Sequence, residues 1–248
     1  MYGYDQRGWG RSVKKAGDRG KTGPTARVLA DMAAFIRAKL EGEEPQGAPV
    51  FVLGHSMGGG QTLALASTAE HGELAGRVRG WILEAPFLGF APELQPHWLT
   101  VAGGKLASHV VPHFKMVRPI PPADLTRDPE VQRSLAADPL LHETGTLEGL
   151  AGLLDRTDKL RSGALRPDPR RVRALLVLHG TADKATSFDR AREWYDRQRF
   201  EDATFKAYDG MFHQMHADPG REEFYKDVAE WILARADAPA DEPAAAKL

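Results

Sequence analysis

An α/β fold with a mostly parallel, doubly wound sheet is the architecture that this sequence predicts. Short apolar runs recur at residues 49–53, 79–84, 173–178 and 203–208. Helical stretches follow or separate them, and repeated strand-then-helix units need crossovers that leave the strands parallel. The alternation stops once, between residues 87 and 171, which marks an insertion rather than a second sheet.

In chain order, residues 24–40 read as a helix, because Val28, Leu29, Met32, Phe35, Ile36 and Leu40 form one apolar stripe. Residues 42–49 are turn material, and the strand at 49–53 runs straight into Gly54-His55-Ser56-Met57-Gly58. A helix over 57–70 follows. Its Gly58-Gly59-Gly60 start is poor in helix propensity but allows close packing. The next strand carries Trp81-Ile82-Leu83. Residues 87–171 are punctuated by proline, hold helical pieces at 97–111, 129–136 and 146–160, and are too long for an ordinary crossover. They read as an inserted helical lid. A strand at 173–178, a helix at 187–199 and a strand at 203–208 resume the pattern. The last helix is expected to begin at the cap pair Asp218-Pro219 and run through Val228, Trp231 and Ile232. The tail from Ala236 is rich in Ala, Pro and Asp and is expected to be disordered. The division is thus core at 1–86, lid at 87–171, core at 172–235 and tail at 236–248.

Composition narrows the function. A net charge of −1 with interspersed acids and bases, over 248 residues, gives no nucleic-acid footprint. The absence of cysteine excludes disulfides and thiolate metal sites. There is no apolar run near the roughly 20 residues of a membrane span, and Met1 to Gly8 lacks a signal-peptide layout. These features predict a soluble intracellular protein.

A strand ending in Gly-x-Ser-x-Gly is the form of a nucleophile elbow, with Ser56 on a strained strand-to-helix turn. Side chains at the flanking positions 54 and 58 are expected to collide with the turn. A serine needs a base held by an acid, and such groups gather beyond the carboxyl ends of parallel strands. Asp183 stands there after the strand at 173–178, and His213 after the next one. Ser56, Asp183, His213 is the chain order of α/β-hydrolases. His213 is expected to take the Ser56 proton as it attacks an ester carbonyl. Asp183 would fix the imidazole tautomer, and the Met57 backbone N–H would donate to the oxyanion.

Four segments together resemble the monoacylglycerol lipase family of the serine-aminopeptidase-like α/β-hydrolases. They are Asp5-Gln6-Arg7-Gly8-Trp9-Gly10-Arg11-Ser12, Gly54-His55-Ser56-Met57-Gly58-Gly59, His179-Gly180-Thr181-Ala182-Asp183 and Tyr208-Asp209-Gly210-Met211-Phe212-His213. The similarity extends to about Ala234 and includes Ala137-Asp138-Pro139-Leu140 within the lid. It implies hydrolysis of monoacylglycerols, or of related lysolipid and long-chain esters, with no cofactor. Lid pieces at Trp98-Leu99, Val110-Val111 and Phe114 would suit an acyl chain and contact with a membrane or lipid droplet; covering the core is the alternative. The chain departs from the family in starting almost on the first segment, without the strands and His-Gly loop that precede it there. A truncated product or incomplete gene reading is therefore expected, with the second oxyanion donor missing from the chain and poor solubility or activity until the upstream region is restored. A peptidase or small-ester hydrolase on the same scaffold, and a catalytically impaired homologue, are the alternatives.

Other residues are set aside. His216 is a second choice for the base. A metal reading of His213-x-x-His216 fails for want of a carboxylate or third histidine placed with it, and no metal is expected. His55 reads as packing beneath the elbow, Glu84 as a strand-end residue able to tune the pocket, and His109 and His113 as solvated or packed on one lid-helix face. Gly58-Gly59-Gly60 is not a phosphate loop, since no Gly-Lys-Ser/Thr follows. The C-terminal Ala246-Lys247-Leu248 fits the relaxed form of a peroxisomal signal, making an import receptor a candidate partner. The other expectation is a cytoplasmic or lipid-surface location.

Overall fold

The computed structural model of the chain describes residues 1–42 and 48–236. Most of the expected turn at 42–49, and the tail with Ala246-Lys247-Leu248, lie outside them. The elements run α1 (Thr25–Leu40), β1 (Phe51–His55), α2 (Met57–Ser67), α3 (Gly72–Arg77), β2 (Gly80–Glu84), α4 (Trp98–Val110), β3 (Lys115–Val117), α5 (Pro122–Leu125), α6 (Pro129–Ala137), β4 (Thr144–Thr146), α7 (Leu147–Ser162), β5 (Ala174–Gly180), α8 (Phe188–Asp196), β6 (Asp202–Tyr208) and α9 (Arg221–Ala236).

The main sheet has the order β1-β2-β5-β6, and every pairing in it is parallel. Its two faces can be read from strand parity, since alternate side chains point to opposite sides. Trp81, Leu83, Leu175 and Val177 join the core formed with α1, α2 and α8. Ile82, Leu176 and Leu178 join the core beneath Phe224 and Trp231 of α9. This two-sided burial makes the sheet doubly wound, and it explains why β2 and β5 are apolar at nearly every position. Glu84 ends β2 with the parity of Ile82. It therefore stands on the α9 face, in register with His55 of β1.

The segment 87–171, expected to be an inserted helical lid, holds more than helices. Lys115–Val117 and Thr144–Thr146 pair as an antiparallel ribbon, too short to carry a period-two signal in the sequence. Its last helix, α7, buries Leu160 in the main core beside α1 and α2. The region begins pinned to the loop after β5, with Phe90 bridged to Thr186 and the Ser187 N–H donating to the Gly89 carbonyl.

Three local expectations are corrected. The last helix starts at Arg221, and Asp218 does not cap it. The fully buried Asp218 carboxylate instead accepts from the Arg127 backbone N–H at 2.6 Å, the Arg127 Nε at 2.9 Å and the Phe212 N–H at 3.1 Å. A guanidinium outcompetes capping because it adds charge to the hydrogen bond. His113 lies beyond the end of α4, so it does not share a helix face with His109. Gly58 is not sterically required. A Cβ there would meet nothing within 4 Å, whereas one on Gly54 would lie 2.5 Å from Thr62 Oγ1 and 2.7 Å from the Gly58 carbonyl oxygen.

Candidate active site

Ser56 occupies the one-residue link between β1 and α2 with φ 54° and ψ −122°. This is a costly conformation for a residue with a Cβ. It is held by the Ser56 N–H on the Glu84 carbonyl at 2.9 Å and by the Phe87 N–H on the Ser56 carbonyl at 2.9 Å. Ala85, at the end of the adjacent strand, is the only other described non-glycine with positive φ. Strain is thus concentrated where two neighbouring strands stop. Met57 opens α2, so its N–H is among the first four of that helix, which have no intrahelical carbonyl to meet.

The carboxyl ends of β5 and β6 bring Asp183 and His213 together. His213 Nδ1 lies 2.8 Å from Asp183 Oδ2, and both side chains are essentially inaccessible to water. Gly180 makes the approach feasible, because a Cβ there would run into the Met211 carbonyl of the base loop. Asp183 is heavily bonded. Oδ1 accepts the N–H groups of Ala185 at 2.7 Å and Thr186 at 2.9 Å, while Oδ2 also takes the Thr186 hydroxyl at 2.7 Å and His179 Nε2 at 3.0 Å. Burial alone would raise its pKa, but the hydrogen bonds from His179 and His213 outweigh that and hold the carboxyl far below the usual range. The acid is therefore ionised and directionally fixed, which sets the His213 tautomer with Nε2 free to act as a base.

His179 and Thr186 are parts of the site that sequence reasoning missed. The signal was present for the backbone half: an Asp followed by a tight turn commonly bonds the N–H groups two and three residues on. Nothing in spacing marks His179, which lies inside β5 and is wholly buried.

Ser56 is linked to the base through its neighbour. The His55 ring packs 4.6 Å from the His213 ring, and His55 Nε2 lies 3.2 Å from the His213 carbonyl oxygen. His55 thus does pack beneath the elbow. Burial drives its pKa down to about 4 despite the Glu84 carboxylate, so the ring is neutral at pH 7 and donates Nε2–H to that carbonyl. His216 does not meet Asp183. Its Nδ1 and backbone N–H both reach Glu84 Oε1, at 2.8 and 3.1 Å. Burial opposes the charge on each partner, yet His55 and then the bonds from His216 lower Glu84, and the Glu84 carboxylate raises His216. The His213-x-x-His216 pair thus divides, His213 going to Asp183 and His216 to Glu84, whose strand neighbour in the sheet register is His55.

With this geometry in hand, comparison with known proteins is decisive at the family level. Residues 1–220 match the family described as serine aminopeptidase, S33. The chain belongs to that family. A Schizosaccharomyces pombe relative, provisionally named a monoglyceride lipase, is 32% identical over 236 residues, covering 94% of this chain and 59% of its own length. A monoacylglycerol lipase of Mycolicibacterium smegmatis is 29% identical over 246 residues, covering 94% of this chain and 78% of its own. Among solved structures, a soluble variant of Saccharomyces cerevisiae monoglyceride lipase in complex with a substrate analog superposes with a TM-score of 0.83 at 21% identity, covering 95% of this chain and 77% of that one. This last likeness establishes the α/β-hydrolase fold. Within the S33 family, then, the chain spans little more than half the length of its fission-yeast relative.

Proposed function

We propose that this S33-family chain is a serine hydrolase of lipid carboxylic esters, with monoacylglycerol as substrate and glycerol and a fatty acid as products. The observation that carries the reading is the buried Asp183–His213 pair at 2.8 Å, set beside an elbow whose serine is held at positive φ. His213 takes the Ser56 proton as Oγ attacks the ester carbonyl, and Asp183 stabilises the imidazolium. The Met57 N–H receives the developing oxyanion at the start of α2. His213 then returns the proton to the glycerol oxygen and activates the water that frees the fatty acid. The names of the two lipase relatives support the lipid ester as substrate class.

The lid supplies the surface such a substrate needs. Trp98, Leu99, Leu106, Val110, Val111, Phe114 and Val117 are all large apolar residues left substantially exposed on α4 and the segment after it. Exposed apolar residues concentrated in one short stretch of chain suit an acyl chain and a lipid–water interface. A membrane or lipid-droplet surface is accordingly the proposed location, and peroxisomal import through Ala246-Lys247-Leu248 is its competitor. The family description favours one other reading, a peptidase acting through the same three residues.

Turnover of a panel of monoacylglycerols from short to long chain, beside short p-nitrophenyl esters and aminoacyl-amides, tests the proposal. Preference for long acyl chains with loss of turnover and of fluorophosphonate labelling in Ser56→Ala is expected. Preference for aminoacyl-amides would replace it with the peptidase reading.

A further inference from the structure

Beneath the base loop lies a second cluster that the hydrolytic mechanism does not use. His55 at the end of β1, Glu84 at the end of β2 and His216 in the turn after His213 each offer one ligand atom, and these atoms lie within 4.8 Å of one another. The strand register makes His55 and Glu84 direct neighbours on the α9 face. Glu84 Oε1 and His216 Nδ1 already meet in a hydrogen bond at 2.8 Å, whose proton a metal ion would replace. The two imidazoles face each other edge-on, with ring centroids 5.2 Å apart.

We propose that His55, Glu84 and His216 form a binding site for a divalent transition metal, zinc above all, behind the Ser56–Asp183–His213 constellation. Two imidazoles and one carboxylate are a borderline donor set that suits zinc, copper or nickel and is poor for calcium or magnesium, which take oxygen ligands. His55 also carries the outer support typical of a metal-bound histidine, since its Nε2–H is engaged by the His213 backbone carbonyl and Nδ1 keeps the lone pair. Tetrahedral zinc wants its ligand atoms roughly 3.4 Å apart, so separations of up to 4.8 Å close by up to about 1.4 Å while the Glu84–His216 pair opens from 2.8 Å. His216 can supply that movement and an entry path, its side chain being 40% exposed while Glu84 is buried. A fourth position is left for water. Bound there, the ion would tie the ends of β1 and β2 to the turn following His213, cross-bracing the loop that carries the base. The site stands on its own ligands and does not depend on the ester-hydrolase reading.

The test is calorimetric titration of the chelator-treated 248-residue chain with zinc chloride near pH 7.5, with cobalt(II) absorption as a report of the ligand set. The expected results are 1:1 binding at micromolar concentration, a rise in unfolding temperature with zinc, and a visible cobalt spectrum of four- or five-coordinate type. Glu84→Gln and His216→Ala should each weaken binding at least about tenfold. His216→Ala is the safer variant to fold, because that side chain is partly exposed. His213→Ala keeps the supporting carbonyl and should bind zinc as the parent does. Absence of binding up to millimolar zinc would overturn the proposal. So would binding lost in His213→Ala but kept in His216→Ala, since the ion would then belong to the triad histidine.

Discussion

The loops after β5 and β6 and the helix α4 are built on opposite terms. Around Asp183, five donors converge on one buried carboxylate, from His179, Ala185, Thr186 twice and His213. Helix α4 has no buried residue at all, and it leaves Trp98, Leu106 and Val110 about three-quarters exposed. The first region gains precision from hydrogen bonds converging in a dry setting, where each bond is strengthened and each loss is expensive, although the other ring nitrogen of His179 is left without a partner. The second has little to lose on movement and much apolar area to offer. Between them sits a clamp, in which Asp218 holds Arg127 of the inserted region and Phe212 of the base loop through one carboxylate. The contrast teaches that one segment can expose an apolar helix while, further along, Arg127 ties it to the loop that carries His213.

The comparison can be broken first at the precise end. Ser56→Ala should cut ester turnover by about 10⁶-fold and abolish fluorophosphonate labelling, with thermal stability little changed, since alanine keeps the Cβ that makes the positive φ costly. Asp183→Asn should cost about 10⁴-fold in kcat through the wrong His213 tautomer. A much smaller loss in steady-state kinetics would show that the convergent donors are structural only. Asp218→Ala should cost about 3 kcal/mol by urea unfolding, because it strands Arg127 and two backbone N–H groups. An effect near zero would mean that the clamp does not couple lid to base loop.

Acid sharpens the same contrast. The folded state depresses the Asp183 pKa, so this group adds stability that is fully present above its unfolded value of about 3.9 and is lost as pH falls through the lower folded value. The urea midpoint should therefore drop between pH 7 and pH 3, and drop less in Asp183→Asn; equal drops would assign the acid sensitivity elsewhere. The smallest effects belong to the lid. Leu106→Ser with Val110→Ser should alter stability by less than about 0.5 kcal/mol, yet weaken binding to phosphatidylcholine vesicles about tenfold through lost apolar area. Unchanged vesicle binding in a co-sedimentation assay would remove the lid from the membrane contact.

Much of this molecule was legible before its coordinates. The four parallel strands and the elbow come from periodicity and from Gly54, where a side chain has no room. Asp183 and His213 were singled out because parallel sheets gather function at strand ends, and the structure brings the two side chains together there. The ribbon at Lys115–Val117 and Thr144–Thr146 was missed because three residues carry no measurable period. Asp218 was misread as a cap because its true partner, Arg127, is distant in sequence and local rules cannot see it.

What the sequence by itself determined was the alternation of strand and helix, the strand-to-helix turn at Ser56 and the places of Asp183 and His213 beyond strand ends. All of these rest on local backbone chemistry and on short-range hydrophobic period. Only the tertiary structure decided that His179 and Thr186 complete the environment of Asp183, that a side chain at position 58 would meet nothing, and that Glu84 joins His55 and His216. The reason is register. Which side chains meet across β1, β2 and β5 depends on how the strands are aligned and which face each residue takes, and a shift of a single position would have sent Glu84 to the other side of the sheet.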